Sequence, residues 1–142
     1  MTFAKLVQKT FGAANRGVYR MTGGKVWNTL KGAPILLLTT KGRKSGKPRT
    51  MPLLYLRDGG RLVVVASSGG SPGHPAWYLN LRDEPDVEIE LGGKRERRRA
   101  RTATPEERER LWPRAVEMFS GYADYQRKTS REIPLVVLEP KT

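Results

Sequence analysis

Between positions 34 and 140 most apolar residues fall into short runs bounded by turns: "PILLLTT" (34–40), "TMPLLYLR" (50–57), "RLVVVASS" (61–68), "DVEIEL" (86–91) and "IPLVVLEP" (133–140). Each is rich in β-branched or large apolar side chains and is flanked by glycine, proline or charge, the pattern of strands. "RDGGR" closes the second and third into a tight hairpin. In "DVEIEL" the residues Val87, Ile89 and Leu91 alternate onto one face, and "GG" at 92–93 turns this run into "KRERRRARTA" (94–103). The latter is expected to be an exposed or edge strand whose arginines meet glutamates across the hairpin. Neither a βαβ alternation nor an internal repeat is visible. The core is therefore read as five or six mostly antiparallel strands with helices at the start, the middle and near the end. That is a small barrel in an α+β setting rather than a Rossmann domain.

"TPEERERLWPRAVEMF" carries a full set of helix signals. Thr104 is the N-cap, Pro105 takes the first helical position and Glu107 completes a capping box. Leu111, Ala115, Met118 and Tyr122 recur along one stripe, and Pro113 predicts a kink or a short break near Arg110. At the other end of the chain, Phe3, Leu6, Val7, Phe11, Ala14 and Val18 recur at helical spacing, with Lys5, Lys9, Arg16 and Arg20 nearer the opposite face. Residues 1–32 are thus read as a basic amphipathic helix and linker, either a cap on the domain or a contact with an anionic membrane surface. Residues 33–142 form the barrel domain.

Charge narrows the function classes. The net charge is +13 over 142 residues, and positions 1–57 hold 12 Lys/Arg and no Asp or Glu. Such asymmetry reports an anionic partner. Nucleic acid is disfavoured, because the cations concentrate in one turn and one helix without interleaved aromatics to stack on bases. The chain has no cysteine and one histidine, His74, which removes disulfides, thiolate metal sites and a cysteine nucleophile. His74 is read as structural. No apolar run approaches the roughly 20 residues needed to span a bilayer, and the N-terminus lacks a signal peptide's continuous apolar core. The expected location is the cytoplasm, with a possible peripheral contact at the inner face of the cell membrane.

No G-x-S-x-G elbow, metal cluster or phosphate-binding P-loop is present, so any reactive group must come from a cofactor that the protein binds and orients. "TTKGRKSGKPR" (39–49) fits that role. It places Lys41, Arg43, Lys44, Lys47 and Arg49 in one glycine-interrupted turn without a carboxylate. Backbone amides near Gly42 and Gly46 and charge-assisted donors suit a phosphate, although basic hairpin turns are often merely solvated.

The G-R-K-S-G-K-P-R turn, the A-S pair ending a strand, P-A-W-Y-L-N-L and Y-A-D-Y-Q together resemble the deazaflavin-dependent nitroreductase family over roughly residues 33–140. The resemblance implies a split β-barrel and a reductase that draws hydride from reduced coenzyme F420 and passes it to quinones, enones, lactones or nitro compounds. It implies that Arg43, Lys44, Ser45 and Arg49 hold the cofactor's phosphate and acidic tail. Thr50, Met51, Pro52, Leu53 and Leu54 continue along it. By the same resemblance, Val65, Ala66, Ser67 and Ser68 face the ring, and Ala76, Trp77, Tyr78, Leu79 and Asn80 begin the helix that closes over it. Tyr122 and Tyr125 line the substrate side, Tyr122 also touching the cofactor, and Tyr122, Tyr125 or Ser67 supplies a proton. Leu54 and Phe119 stand where members active on bulky nitroimidazoles carry tyrosines, leaving fewer hydroxyls in the pocket. A monomer or homodimer is expected. The alternative reading is a non-catalytic carrier or sensor of F420, or of FMN, haem or a tetrapyrrole.

Overall fold

The structure, a computed structural model, describes residues 29–30 and 33–141. The expected N-terminal helix lies outside the described residues. A two-residue strand, β1 (Thr29–Leu30), pairs with the start of β2 (Ala33–Lys41). There follow β3 (Pro48–Asp58), β4 (Arg61–Val65), α1 (Ala76–Asp83), β5 (Asp86–Leu91) and β6 (Lys94–Thr102). The chain ends with α2 (Pro105–Met118), α3 (Gly121–Lys128) and β7 (Leu135–Pro140). All pairings are antiparallel in the order β2-β3-β4-β7-β6-β5, and β5 returns to β2 through Leu38 opposite Ile89. Six strands therefore close a barrel, the expected split β-barrel of an α+β fold.

Strand periodicity sorts the apolar residues into two layers. Leu36, Leu38, Leu62, Val64, Val87, Ile89, Ala100, Val136 and Leu138, drawn from five strands, converge with Tyr55 of β3 and with Trp77, Tyr78 and Leu81 of α1. This is the barrel interior, with α1 plugging one end. Ile35, Leu54, Leu56, Val63, Val65 and Leu135 face the other way and pack under Leu111 and Ala115 of α2 and Tyr122 and Tyr125 of α3. β4 is covered on both faces, which explains its unbroken "LVVV".

Four expectations change. "KRERRRART" is no edge: β6 pairs with β5 on one side and β7 on the other, because closure removes edges. Its exposure arises from an outer face that carries no helix. The cross-hairpin pairing does form, with Arg95 3.3 Å from Glu90 and Arg99 3.4 Å from Asp86. The strand expected over 61–68 ends at Val65, and Ser68–Gly70 form a single 3₁₀ turn. Helix α2 has the expected capping box and runs through Pro113 without a break, since Pro113 and Glu109, whose carbonyl loses its helical donor, are exposed. Finally, Tyr122 does not continue the α2 stripe. The helix stops at Met118, and α3 restarts at Gly121, where a Cβ would lie 2.6 Å from the Phe119 ring.

Candidate functional site

β2 and β3 run together to Lys41 opposite Pro48, and residues 42–47 make the turn between them. The Gly42 N–H donates to the Lys47 carbonyl at 2.8 Å, and the Gly46 N–H donates to the Gly42 carbonyl at 2.7 Å. Gly46 has φ +73°, a conformation costly for any other residue. A Cβ on Gly42 would sit 2.8 Å from Ser45 Oγ and 3.1 Å from the Lys47 carbonyl. That same Ser45 hydroxyl accepts from the Lys47 N–H at 3.1 Å and from Arg49 Nη2 at 3.4 Å. Among the described residues none of Lys41, Arg43, Lys44, Lys47 or Arg49 pairs with a carboxylate, unlike Arg95 and Arg99 of the neighbouring hairpin.

The turn forms one wall of a cleft of about 670 Å³. Arg43, Lys44, Ser45, Arg49, Thr50 and Met51 line one side, while Ser68, Ala76, Trp77 and Asn80 line the other. No side chain caps α1, and Pro75, Ala76 and Trp77 at its start line the cleft, which brings the positive end of that helix to it, as suits an anion. The sequence-assigned residues separated in sequence by more than 20 positions are thus brought to one concavity. The donor set fits a phosphorylated, polyanionic cofactor: Arg43, Lys44 and Arg49 of a carboxylate-free turn, a glycine cradle that a Cβ would fill, and an uncapped helix start.

The remaining assigned residues stand behind the cleft. Pro52 is buried, Leu53 and Leu79 pack on the interior layer, and Ala66 and Tyr78 belong to it. Leu54 and Val65 face the outer layer. Tyr78 is fixed by a 2.8 Å hydrogen bond between its hydroxyl and that of Thr102. Ser67 is only 4% exposed. Tyr122 and Tyr125 do not line this cleft; they pack against Phe119 and each other, with ring centroids 5.0, 6.0 and 6.3 Å apart. Burial pushes the Tyr122 hydroxyl far above the ordinary phenol range, so it stays protonated and can donate a hydrogen bond.

Asn80 turns out to be occupied by the protein itself. Its Oδ1 accepts from the Arg43 backbone N–H and from Arg43 Nη1, both at 3.2 Å, and its Nδ2 donates to Thr40 Oγ1 at 3.2 Å. It ties the basic turn to α1. His74, read as structural, packs within the protein: its ring lies 4.8 Å from that of Tyr78, and Nδ1 is 3.1 Å from Arg131 Nη1. Burial and then the Arg131 charge hold its pKa below the ordinary value. Arg131 itself escaped sequence reasoning, since "SREIP" carries no signal that distinguishes it from a solvated arginine.

Comparison with known proteins decides the family. The family model for F420H(2)-dependent quinone reductases matches residues 13–140. The chain belongs to this family. It is 46% identical over 125 residues to an F420H(2)-dependent quinone reductase of Mycobacterium tuberculosis strain H37Rv, covering 85% of this chain and 84% of the relative. It also resembles a solved F420-H2 dependent reductase, FDR-A, at 47% identity and TM-score 0.68, over 75% of this chain and 94% of that one. A further solved structure, described as a domain-swapped dimer, is 38% identical with TM-score 0.71 and is covered over its full length, against 97% of this chain. The deazaflavin-dependent reductase resemblance carried by the turn and helix motifs is thus the family matched. Among the described residues no helix is long and apolar enough to cross a membrane, and no group of side chains could hold a metal ion.

Proposed function

We propose that this chain reduces quinones with hydride taken from reduced coenzyme F420, and that the 670 Å³ cleft is where the cofactor sits. The observation that carries the reading is the carboxylate-free basic turn, three of whose cations, Arg43, Lys44 and Arg49, line that cleft. Arg43, Lys44 and Arg49, with Ser45 and the start of α1, hold the phosphate and the acidic tail. Thr50, Met51, Ser68, Ala76 and Trp77 hold the rest against the barrel wall. Bound reduced deazaflavin supplies the hydride, and no side chain need act as a nucleophile. The protein contributes orientation and an electrostatic environment.

Tyr122 and Tyr125 stand behind the cleft, linked to its Ser67–Gly70 wall by the contact of Gly70 with Tyr125, and with Ser67 they make up the proton-donating side of this reading. Tyr122, protonated like any phenol at neutral pH, holds a quinone oxygen by donating a hydrogen bond as negative charge develops there; the burial that raises its pKa works against full proton transfer. The related domain-swapped dimer supports a homodimer for this chain. The basic N-terminal segment, outside the described residues, is proposed to bring the enzyme to an anionic membrane, which liposome sedimentation of the full chain against one beginning near Ala33 tests.

The deciding experiment is spectroscopic. Purified protein should bind F420 and, when given reduced F420 and menadione, regenerate the absorbance of the oxidised cofactor. An enone and a nitroaromatic run beside menadione define the range of acceptors. Protein that binds the reduced cofactor but reduces no acceptor would be a carrier.

A further inference from the structure

Four carbonyl groups of the segment between β4 and α1 are taken up by two cations. Arg131 donates through Nη2 to the Ser67 carbonyl at 2.7 Å, through Nη1 to the Ala66 carbonyl at 3.3 Å and through Nε to the Ser71 carbonyl at 2.9 Å. Lys128 Nζ reaches the Gly69 carbonyl at 3.3 Å. Among the described residues Arg131 has no carboxylate partner; its donors go to these backbone carbonyls, and Nη1 also lies 3.1 Å from His74 Nδ1.

The backbone it holds is unusual. Ser67 is right-handed (φ −79°, ψ −36°), and Ser68 and Gly69 follow in the left-handed region at φ 45° and 65°. Ser68 is the one described non-glycine residue with positive φ, a conformation that persists only where its surroundings enforce it. A right-handed residue followed by a left-handed one turns successive N–H groups to one side, making an anion-binding nest. No acceptor among the described residues takes the N–H of Ser67, Ser68 or Gly69. In a trans peptide the N–H points opposite to the preceding carbonyl. With the Ala66 and Ser67 carbonyls drawn to Arg131, the N–H groups of Ser67 and Ser68 point away from it. Ser68 lines the cleft and Arg131 does not.

We propose that Arg131 is a positioning residue for the cofactor: it fixes the Ala66–Ser68 backbone so that the Ser67 and Ser68 N–H groups form a paired donor site for an electron-rich edge of the deazaflavin ring. This rests on the F420 reading of the cleft. The guanidinium also polarises the two peptides from behind, strengthening their N–H groups as donors and favouring negative charge on the ring. Gly70 closes the clamp. It packs so tightly on α3 that a Cβ would lie 2.7 Å from the Tyr125 carbonyl, linking the tyrosine helix to the same segment.

The test uses the full chain, oxidised F420 and its tail-free deazaflavin nucleoside, which lacks phosphate and glutamates. Arg131→Gln should weaken binding of both by about tenfold, the size of a lost charge-assisted donor pair. It should also move the absorption band of the bound ring toward that of the free cofactor, a signature that loss of general stability would not produce in folded protein. Arg131→Lys, which keeps the charge, should lie between. Wild-type affinity and an unshifted bound spectrum in Arg131→Gln would overturn the inference while leaving the F420 reading intact. Wild-type protein that binds neither ligand would overturn both. Should Arg131→Gln not fold, Arg131→Lys decides: a bound spectrum identical to wild type counts against the proposal, an intermediate one for it.

Discussion

Asn80 and Arg43, 37 positions apart, are joined twice, the amide oxygen accepting both the backbone N–H and the guanidinium of Arg43 at 3.2 Å. A buried helix residue thereby fixes the orientation of an exposed, highly charged turn. Asn80→Ala should lower stability by about 1–3 kcal/mol, because it leaves Thr40 and the Arg43 N–H without their partner. It should also weaken F420 binding, by loosening the turn. Thermal melting and fluorescence titration read the two effects separately.

Lys44 and Arg49 are exposed, so their removal should leave the fold alone and act on binding only. Each charge-assisted hydrogen bond lost is worth about 1.5–3 kcal/mol. The double alanine variant should therefore bind F420 at least tenfold more weakly with an unchanged melting temperature. Wild-type affinity should fall as salt rises, more for long glutamate tails than for short ones. Salt-independent binding would place the anionic tail elsewhere.

Glu107 supplies a pH-dependent element of stability. Hydrogen bonds from Arg101, then from the Thr104 backbone, lower its pKa from 4.5 to about 2. Arg101 meets both its oxygens at 2.7 and 2.8 Å. Because the folded-state value lies below the unfolded one, the stabilisation is complete above pH 4.5 and is lost as pH falls through 2. Glu107→Gln keeps an acceptor for the N-cap but removes the charge. It should cost about 1–3 kcal/mol at pH 7, a difference that shrinks steadily in denaturant titrations between pH 4.5 and 2.

Tyr122→Phe keeps the ring and removes the hydroxyl. If that hydroxyl donates to the quinone oxygen, turnover with menadione should drop by about 10²-fold or more with cofactor affinity unchanged. Tyr125→Phe should show the smaller loss of a shaping residue. A change below threefold in Tyr122→Phe would assign the hydroxyl to packing, consistent with its place in the outer layer.

Gly70→Ala tests the clamp on α3. With φ +80° and a Cβ only 2.7 Å from the Tyr125 carbonyl oxygen, the substitution should destabilise by about 2–4 kcal/mol. Calorimetric unfolding checks it.

Local chemistry was enough to determine much of this protein. The alternation in "DVEIEL" and the capping box at Thr104 each depend on residues a few positions apart, and each formed as the sequence implied. The basic turn was equally plain, because five cations without a carboxylate need no fold to be noticed. Tertiary structure alone decided the rest. Only barrel closure made "KRERRRART" an interior strand, since an edge is a property of what lies beside a strand and not of its residues. The Phe119 ring beside Gly121 cut the apparent stripe before Tyr122, and the solvent-facing carbonyl of Glu109 let α2 pass Pro113. Asn80 and Arg131 owe their roles to hydrogen-bond partners 37 to 65 positions away, and a side chain that acts on distant backbone leaves no periodicity in its own neighbourhood.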